Sequence, residues 1–142
     1  MAATQGGSMK GLFPGDGALS GDAGHDPDAR RKTASAFDPE GARRHMGVDR
    51  ERFRRIFDCI WNEVTERRSL LDEAFLAGDL TSVVLQAHTI KSSAAAIGAL
   101  ALSRAAAALE EAAAAGRLAD VAAAMDAVHV ARTTLGKIIG MV

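Results

Sequence analysis

From Phe37 to Ile139 the apolar residues recur every three to four positions, and the pattern halts and restarts at Gly47, Gly78, Gly98 and Gly116. A period near 3.6 residues marks amphipathic helices, and a glycine just past the last periodic residue marks where each ends. The first piece is short, about 38–45, with Asp38 as its cap and Pro39 at the first helical position. A long helix runs from its cap Asp49 to about Ala77, with Phe53, Phe57, Ile60, Val64, Leu71 and Phe75 on one arc and Trp61 beside it. The next runs from its cap Asp79 to about Ile97 and turns Leu80, Val83, Val84, Ala87, Ile90, Ala94 and Ile97 to one side. A helix over about 100–115 presents Leu102, Ala106, Leu109 and Ala113, and one over about 118–139 presents Val121, Met125, Val128, Leu135 and Ile139. No segment alternates with period two, so no strand is expected.

Turns of one to three residues make consecutive helices antiparallel neighbours. The expected fold is therefore all-α, an antiparallel up-down-up-down four-helix bundle with a short N-terminal capping helix. The alanine runs at 94–96, 105–108 and 112–115 read as close helix packing, since alanine has the best helix propensity and a small side chain. Residues 1–36 differ in kind: they hold seven of the fourteen glycines, two of the three prolines and a single aromatic, Phe13. Such a stretch cannot bury enough apolar surface to offset its ordering entropy. The expected division is a disordered leader over 1–36 and the bundle over 37–142.

Several function classes drop out on composition. At 142 residues the chain is short for an ATP-using kinase joined to its own substrate domain. With 17 Lys and Arg against 18 Asp and Glu it offers no bulk field for nucleic acid or an anionic membrane. No apolar run approaches the roughly 20 residues of a membrane span. The single cysteine, Cys59, excludes an intramolecular disulfide and fits a reducing compartment. A cytoplasmic monomer is expected.

Among the histidines, His88 stands apart. On a helical wheel it lies about 110° from the middle of the apolar stripe, at its edge, where solvent can reach it. Its column holds Thr81, Val84, Ser92, Ala95 and Ala99, none of them long, so another protein could press on this face. Lys91 follows at i+3, near enough for its ammonium to reach a group attached to the imidazole. A neutral imidazole is a nucleophile near pH 7, and phosphoryl transfer asks mainly for alignment and charge stabilisation. Half of such a site is thus present. The sequence holds no Walker-type loop, no kinase nucleotide signature and no acidic cluster suited to Mg2+, so a partner must supply phosphoryl group and metal.

The run Ala87-His88-Thr89-Ile90-Lys91-Ser92-Ser93, followed by Ile97-Gly98-Ala99, resembles the histidine-containing phosphotransfer (HPt) domains of bacterial and plant multistep phosphorelays. Gly47-Val48-Asp49, Ala77-Gly78-Asp79 and Leu109-Glu110 look like the same family's landmarks, so the resemblance spans about 37–139. It implies a four-helix bundle whose histidine takes a phosphoryl group from a receiver-domain aspartate and passes it to another receiver. It further implies His88 as phosphoacceptor and Lys91 as the charge-stabilising neighbour, with Gly98 as a structural landmark. The implied partners are receiver domains of response regulators or of a hybrid sensor kinase. The resemblance implies no cofactor bound by this chain, with Mg2+ expected on the receiver.

The family's usual glycine four residues after the histidine is Ser92 here, a small residue able to donate a hydrogen bond to a phosphoryl oxygen. Val84, Leu85 and Ala95 are expected to form the apolar patch on which a receiver docks. Two other readings stay open. A non-phosphorylated helical adaptor would bind receiver or kinase domains without using His88. A metal or cofactor bundle would need inward ligands such as paired Glu-x-x-His, which the chain does not have. His129 also has a basic neighbour, Arg132, at i+3, but no glycine follows it as Gly98 follows His88, and it reads as structural. Neither His25 nor His45 lies with other ligands at metal spacing, and Cys59 sits off the core stripe with no recurring basic neighbour on its face, so no metal site or catalytic thiol is expected.

Overall fold

The computed structural model describes residues 36–140. Five helices make up this part: α1 Pro39–Met46, α2 Arg50–Leu76, α3 Leu80–Ala96, α4 Leu100–Ala114 and α5 Leu118–Ile139. No strand occurs among the described residues, and no helix among them is long and apolar enough to cross a membrane. The expected leader over 1–36 falls outside the described residues except for Ala36.

The helix starts follow local chemistry. The side chains of Asp38, Asp49 and Asp79 accept hydrogen bonds from the backbone N–H groups of Gly41, Arg52 and Ser82, at 3.0, 2.8 and 3.1 Å. Each satisfies a donor that the first helical turn leaves unpaired. The ends of α2, α3 and α4 share one device. Gly78, Gly98 and Gly116 adopt φ of 72°, 79° and 71°, and the next residue's N–H returns to the carbonyl of Ala74, Ala94 or Ala112. That is the Schellman closure, and it turns the chain back within a few residues.

Consecutive long helices pack on one another: α2 on α3, α3 on α4 and α4 on α5. Between the first and last long helices, Arg132 donates to the Thr65 hydroxyl at 2.9 Å and its guanidinium lies 5.3 Å from the centre of the Trp61 ring. The core runs through all four, with Phe53, Phe57, Val64 and Leu71 facing Val83, Ala87, Ile90 and Ala94 in one cluster with Leu102, Leu109, Val121 and Ile139. Phe57 is at the crowded end. Its ring centroid lies 6.1 Å from that of Phe37 edge-on, 6.2 Å from that of Phe53 and 6.1 Å from that of Trp61 in a stacked arrangement. Because Phe57 is fully buried, Phe57→Ala should cost about 3–5 kcal/mol in a denaturant titration, through lost transfer free energy and the cavity left behind. A loss below about 1 kcal/mol would mean that this end of the core is not packed as described.

Three expected details differ. Trp61, placed beside the stripe, is only 4% exposed, whereas Ile60 and Phe75 are partly buried. Ala99, placed in the His88 column, is 1% exposed, because the left-handed Gly98 ends the helical column before it. The third helix stops at Ala96, with Ile97 as its C-terminal flank.

Segment 37–39 packs against the turn between α3 and α4. Asp38 N–H donates to the Gly98 carbonyl at 2.8 Å, and Phe37 and Pro39 are buried. This contact lies ten residues beyond His88 and ties the N-terminal segment to the end of the helix that carries it.

Candidate functional site

Helix α3 presents His88 because its neighbours in sequence point inward: Ala87 and Ile90 are fully buried, which rotates His88 out to the flank. Its side chain is 56% exposed. Thr81, Ser92 and Ala95, on the same column, are exposed, and Val84 is half-buried. Leu85, adjacent to this face, is 59% exposed. The residues named from sequence as site and docking positions therefore share one accessible surface of α3.

The helix beneath the site is held from both sides. On the α2 side, Arg67 donates to the Gln86 side-chain carbonyl at 3.2 Å, and Ser93 donates to a Glu63 carboxylate oxygen at 3.4 Å. On the α4 side, the Ser103 hydroxyl donates to the Lys91 carbonyl at 2.9 Å. These bonds fix the rotation of α3 and hence the direction in which His88 projects.

The residue that sequence reasoning left without a role is Glu110, on α4. Its Oε2 lies 3.0 Å from His88 Nδ1 and its Oε1 lies 2.8 Å from Lys91 Nζ, so one carboxylate bridges both side chains. The Lys91 hydrogen bond, with a smaller contribution from His88, holds the Glu110 carboxyl below the usual carboxylate range, against the opposing effect of partial burial. The site is thus a triad of imidazole, ammonium and carboxylate spanning α3 and α4. Lys91, expected to reach a group on the imidazole, is paired with Glu110. Leu109-Glu110 was visible as a sequence landmark. The partner across a helix interface is not, because periodicity states which side of α4 faces inward but not which turn of α3 it meets.

His129 sits elsewhere. Its Nε2 lies 2.9 Å from Asp72 Oδ1, close enough for an ion pair though not aligned as a hydrogen bond, and the ring is 28% exposed. Cys59 is exposed on α2. Among the described residues, no three or more His, Cys, Asp or Glu side chains gather to hold a metal ion.

What the His88 triad can do follows from its parts. The contact to Glu110 is made by Nδ1, at the opposite edge of the ring from Nε2, and the side chain as a whole is more than half exposed. A nucleophilic nitrogen, a cation one turn away and small flanking side chains suit acceptance of a compact anionic group from another protein.

The family model described as Hpt domain matches residues 55–138, more than half of the chain, and the match includes His88, Lys91 and Glu110. It begins within α2, so residues 37–54, which the sequence resemblance also covers, lie outside it. No curated protein and no solved structure matches the chain.

Proposed function

Because this chain belongs to the Hpt domain family, whose members carry out histidine phosphotransfer in phosphorelays, we propose that His88 accepts a phosphoryl group from a receiver-domain aspartate and passes it to another receiver. The observation that carries this reading is the exposed imidazole within the matched segment, bridged to Lys91 by Glu110 on a face of small side chains. Family members interact with receiver domains and are in general carriers rather than enzymes. In this chain the carrier has no autokinase activity, and Mg2+ and the donor aspartate belong to the receiver.

Lys91 is the cation that offsets the phosphoryl charge, and Ser92, exposed one turn after His88, donates a hydrogen bond to a phosphoryl oxygen. The receiver docks over Val84, Leu85 and Ala95, an interface small enough to release between transfers. Donor and acceptor receivers use this same surface in turn.

The bundle is read as up-down-up-down with α1 set against one end, which the short turns, the packing of consecutive helices and the Arg132 contacts from α5 to α2 support. The functional unit starts near residue 37, since Phe37 is the first side chain buried in the core among the described residues. A cytoplasmic monomer fits a lone Cys59 and balanced charge.

The test is a relay in two steps. Radiolabelled phosphoryl on one receiver should pass to the chain and from the isolated labelled chain to a second receiver. Failure of both steps with every receiver tried, while binding persists, would favour the adaptor reading. Lys91→Ala should slow the first step roughly tenfold, the effect of losing about 1.4 kcal/mol of charge stabilisation in the transition state. An unchanged rate would reduce Lys91 to a solvated flank charge.

A further inference from the structure

We propose that the apolar groove between α4 and α5 is the docking site of this chain's own segment 9–14, with Leu12 and Phe13 as its anchors. The groove has a volume of about 610 Å³ and is formed by the two long helices that do not carry His88, together with Ala36 and Phe37. Leu102 and Leu135, both buried, lie at its base. Its walls are short, because alanines such as Ala105 and Ala127 stand where longer side chains would close the seam. Val130, on the same groove, is 63% exposed. Apart from Asp126 and Thr134 every lining side chain is apolar, and a continuous apolar hollow of this kind marks a surface that binds something.

The path of the chain brings the occupant to the groove. Ala36 and Phe37 line it, Phe37 is buried, and Asp38 is hydrogen-bonded to Gly98 just before α4 begins. Whatever precedes Ala36 therefore departs from the groove itself. Phe13 lies 23 residues before Ala36. At ~3.3 Å per residue a tether of that length reaches up to roughly 76 Å. Along α5 the lining runs from Ala123 to Ile138, which at 1.5 Å per residue is only about 22 Å. Every position of the groove is within reach. Connection through the same chain raises the effective concentration of the segment to roughly millimolar, so a small apolar contact suffices.

Residue chemistry selects the segment. Before Ala36, Leu12-Phe13 is the one adjacent pair of large apolar residues, and Phe13 is the single aromatic. The charge nearest this pair is Lys10, opposite in sign to Asp126, the one charged side chain lining the groove. Residues 1–35 cannot build a core of their own, but two anchors that borrow the apolar faces of α4 and α5 do not need one. A second copy of the chain would have to offer a protruding apolar ridge instead. Among the described residues the large exposed apolar side chains outside the groove, Leu70, Leu76, Leu85 and Leu118, are divided among three helices. Val84, Leu85 and Ala95 do not line the groove, so docking leaves the His88 face open.

The experiment uses the full chain, with the exposed Cys59 replaced by serine and a nitroxide attached through Ser8→Cys. In 15N spectra the amide signals of Ala105, Ala127 and Val130 should lose intensity and regain it when the nitroxide is reduced. Those of Leu85 and Ser92, on the His88 face, should keep theirs. Leu12→Ser combined with Phe13→Ser preserves label and tether but removes the anchors, and should abolish the loss. Val130→Arg, which puts a charge of the same sign as Lys10 at an exposed position of the groove, should abolish it from the other side. No loss at the groove, or a loss that survives either change, overturns the proposal. Mixing a 15N-labelled chain that bears no nitroxide with a nitroxide-bearing chain of natural isotope abundance tests the other occupant. Groove signals weakened as much between chains as within one would assign the groove to a second copy and overturn docking within the chain.

Discussion

His88→Gln should leave the chain folded and able to bind a phosphorylated receiver, yet unable to accept its phosphoryl group. The expected loss is complete rather than partial, because an amide nitrogen has no lone pair available for attack and the Lys91 ammonium and Glu110 carboxylate are paired with each other. Stability should change little, within about 0.5 kcal/mol, since the side chain is 56% exposed and glutamine can still donate to Glu110. Binding should also persist, because the proposed docking patch of Val84, Leu85 and Ala95 is untouched. Phosphate incorporation, receiver binding and thermal unfolding, measured side by side, separate these three expectations. A variant labelled as fast as wild type would remove His88 from the site.

The second large effect is on the fold. Gly98→Ala should destabilise the chain by about 3 kcal/mol or more, whereas Gly116→Ala should cost only about 1–2 kcal/mol. Both glycines adopt left-handed backbone, at φ of 79° and 71°, so both substitutions carry the penalty of a Cβ in that region. Only at Gly98 is there a second cost. A Cβ there would come within 2.2 Å of the Asp38 carbonyl oxygen and 2.6 Å of its carbonyl carbon, whereas nothing lies within 4 Å at Gly116. The obstructing atoms are backbone, and moving them breaks the 2.8 Å hydrogen bond from Asp38 to Gly98 and lifts Phe37 from the core. Denaturant unfolding of the two variants measures the difference directly. Equal losses would mean that segment 37–39 does not pack against this turn in solution.

These contrasts show which features a sequence can carry. Helix starts were legible because an aspartate beside its own helix acts locally, as at Asp49 with the Arg52 N–H. Helix ends were legible because glycine is the residue that takes positive φ most readily. What the pattern missed arises between helices. Trp61 lies beside the stripe of its own helix, but stacking on Phe57 and the Arg132 guanidinium from α5 cover it, and no wheel drawn for one helix includes the neighbour. Ala99 leaves the His88 column because one left-handed residue ends helical periodicity.

The candidate site divides in the same way. The placement of His88 at the edge of its stripe, with Lys91 one turn on, is a property of α3 alone and could be read from spacing. The bridge to Glu110 spans 22 residues of sequence and depends on how α4 is set against α3. A carboxylate directly after the core residue Leu109 occupies the edge of its own helix as His88 does on α3, and that shared edge position was the available signal. The Glu110 carboxylate holds Lys91 at 2.8 Å, so the proposed reaction requires the cation to change partner.

The central claim is that His88 carries the phosphoryl group. The most direct measurement incubates the full wild-type chain with a receiver domain prephosphorylated by acetyl phosphate in Mg2+, then locates and characterises any phosphate gained. The account predicts one phosphate per chain at His88, labile to acid and stable to base as a phosphoramidate bond requires. Phosphate on another residue, or none from any receiver that demonstrably binds, would contradict it.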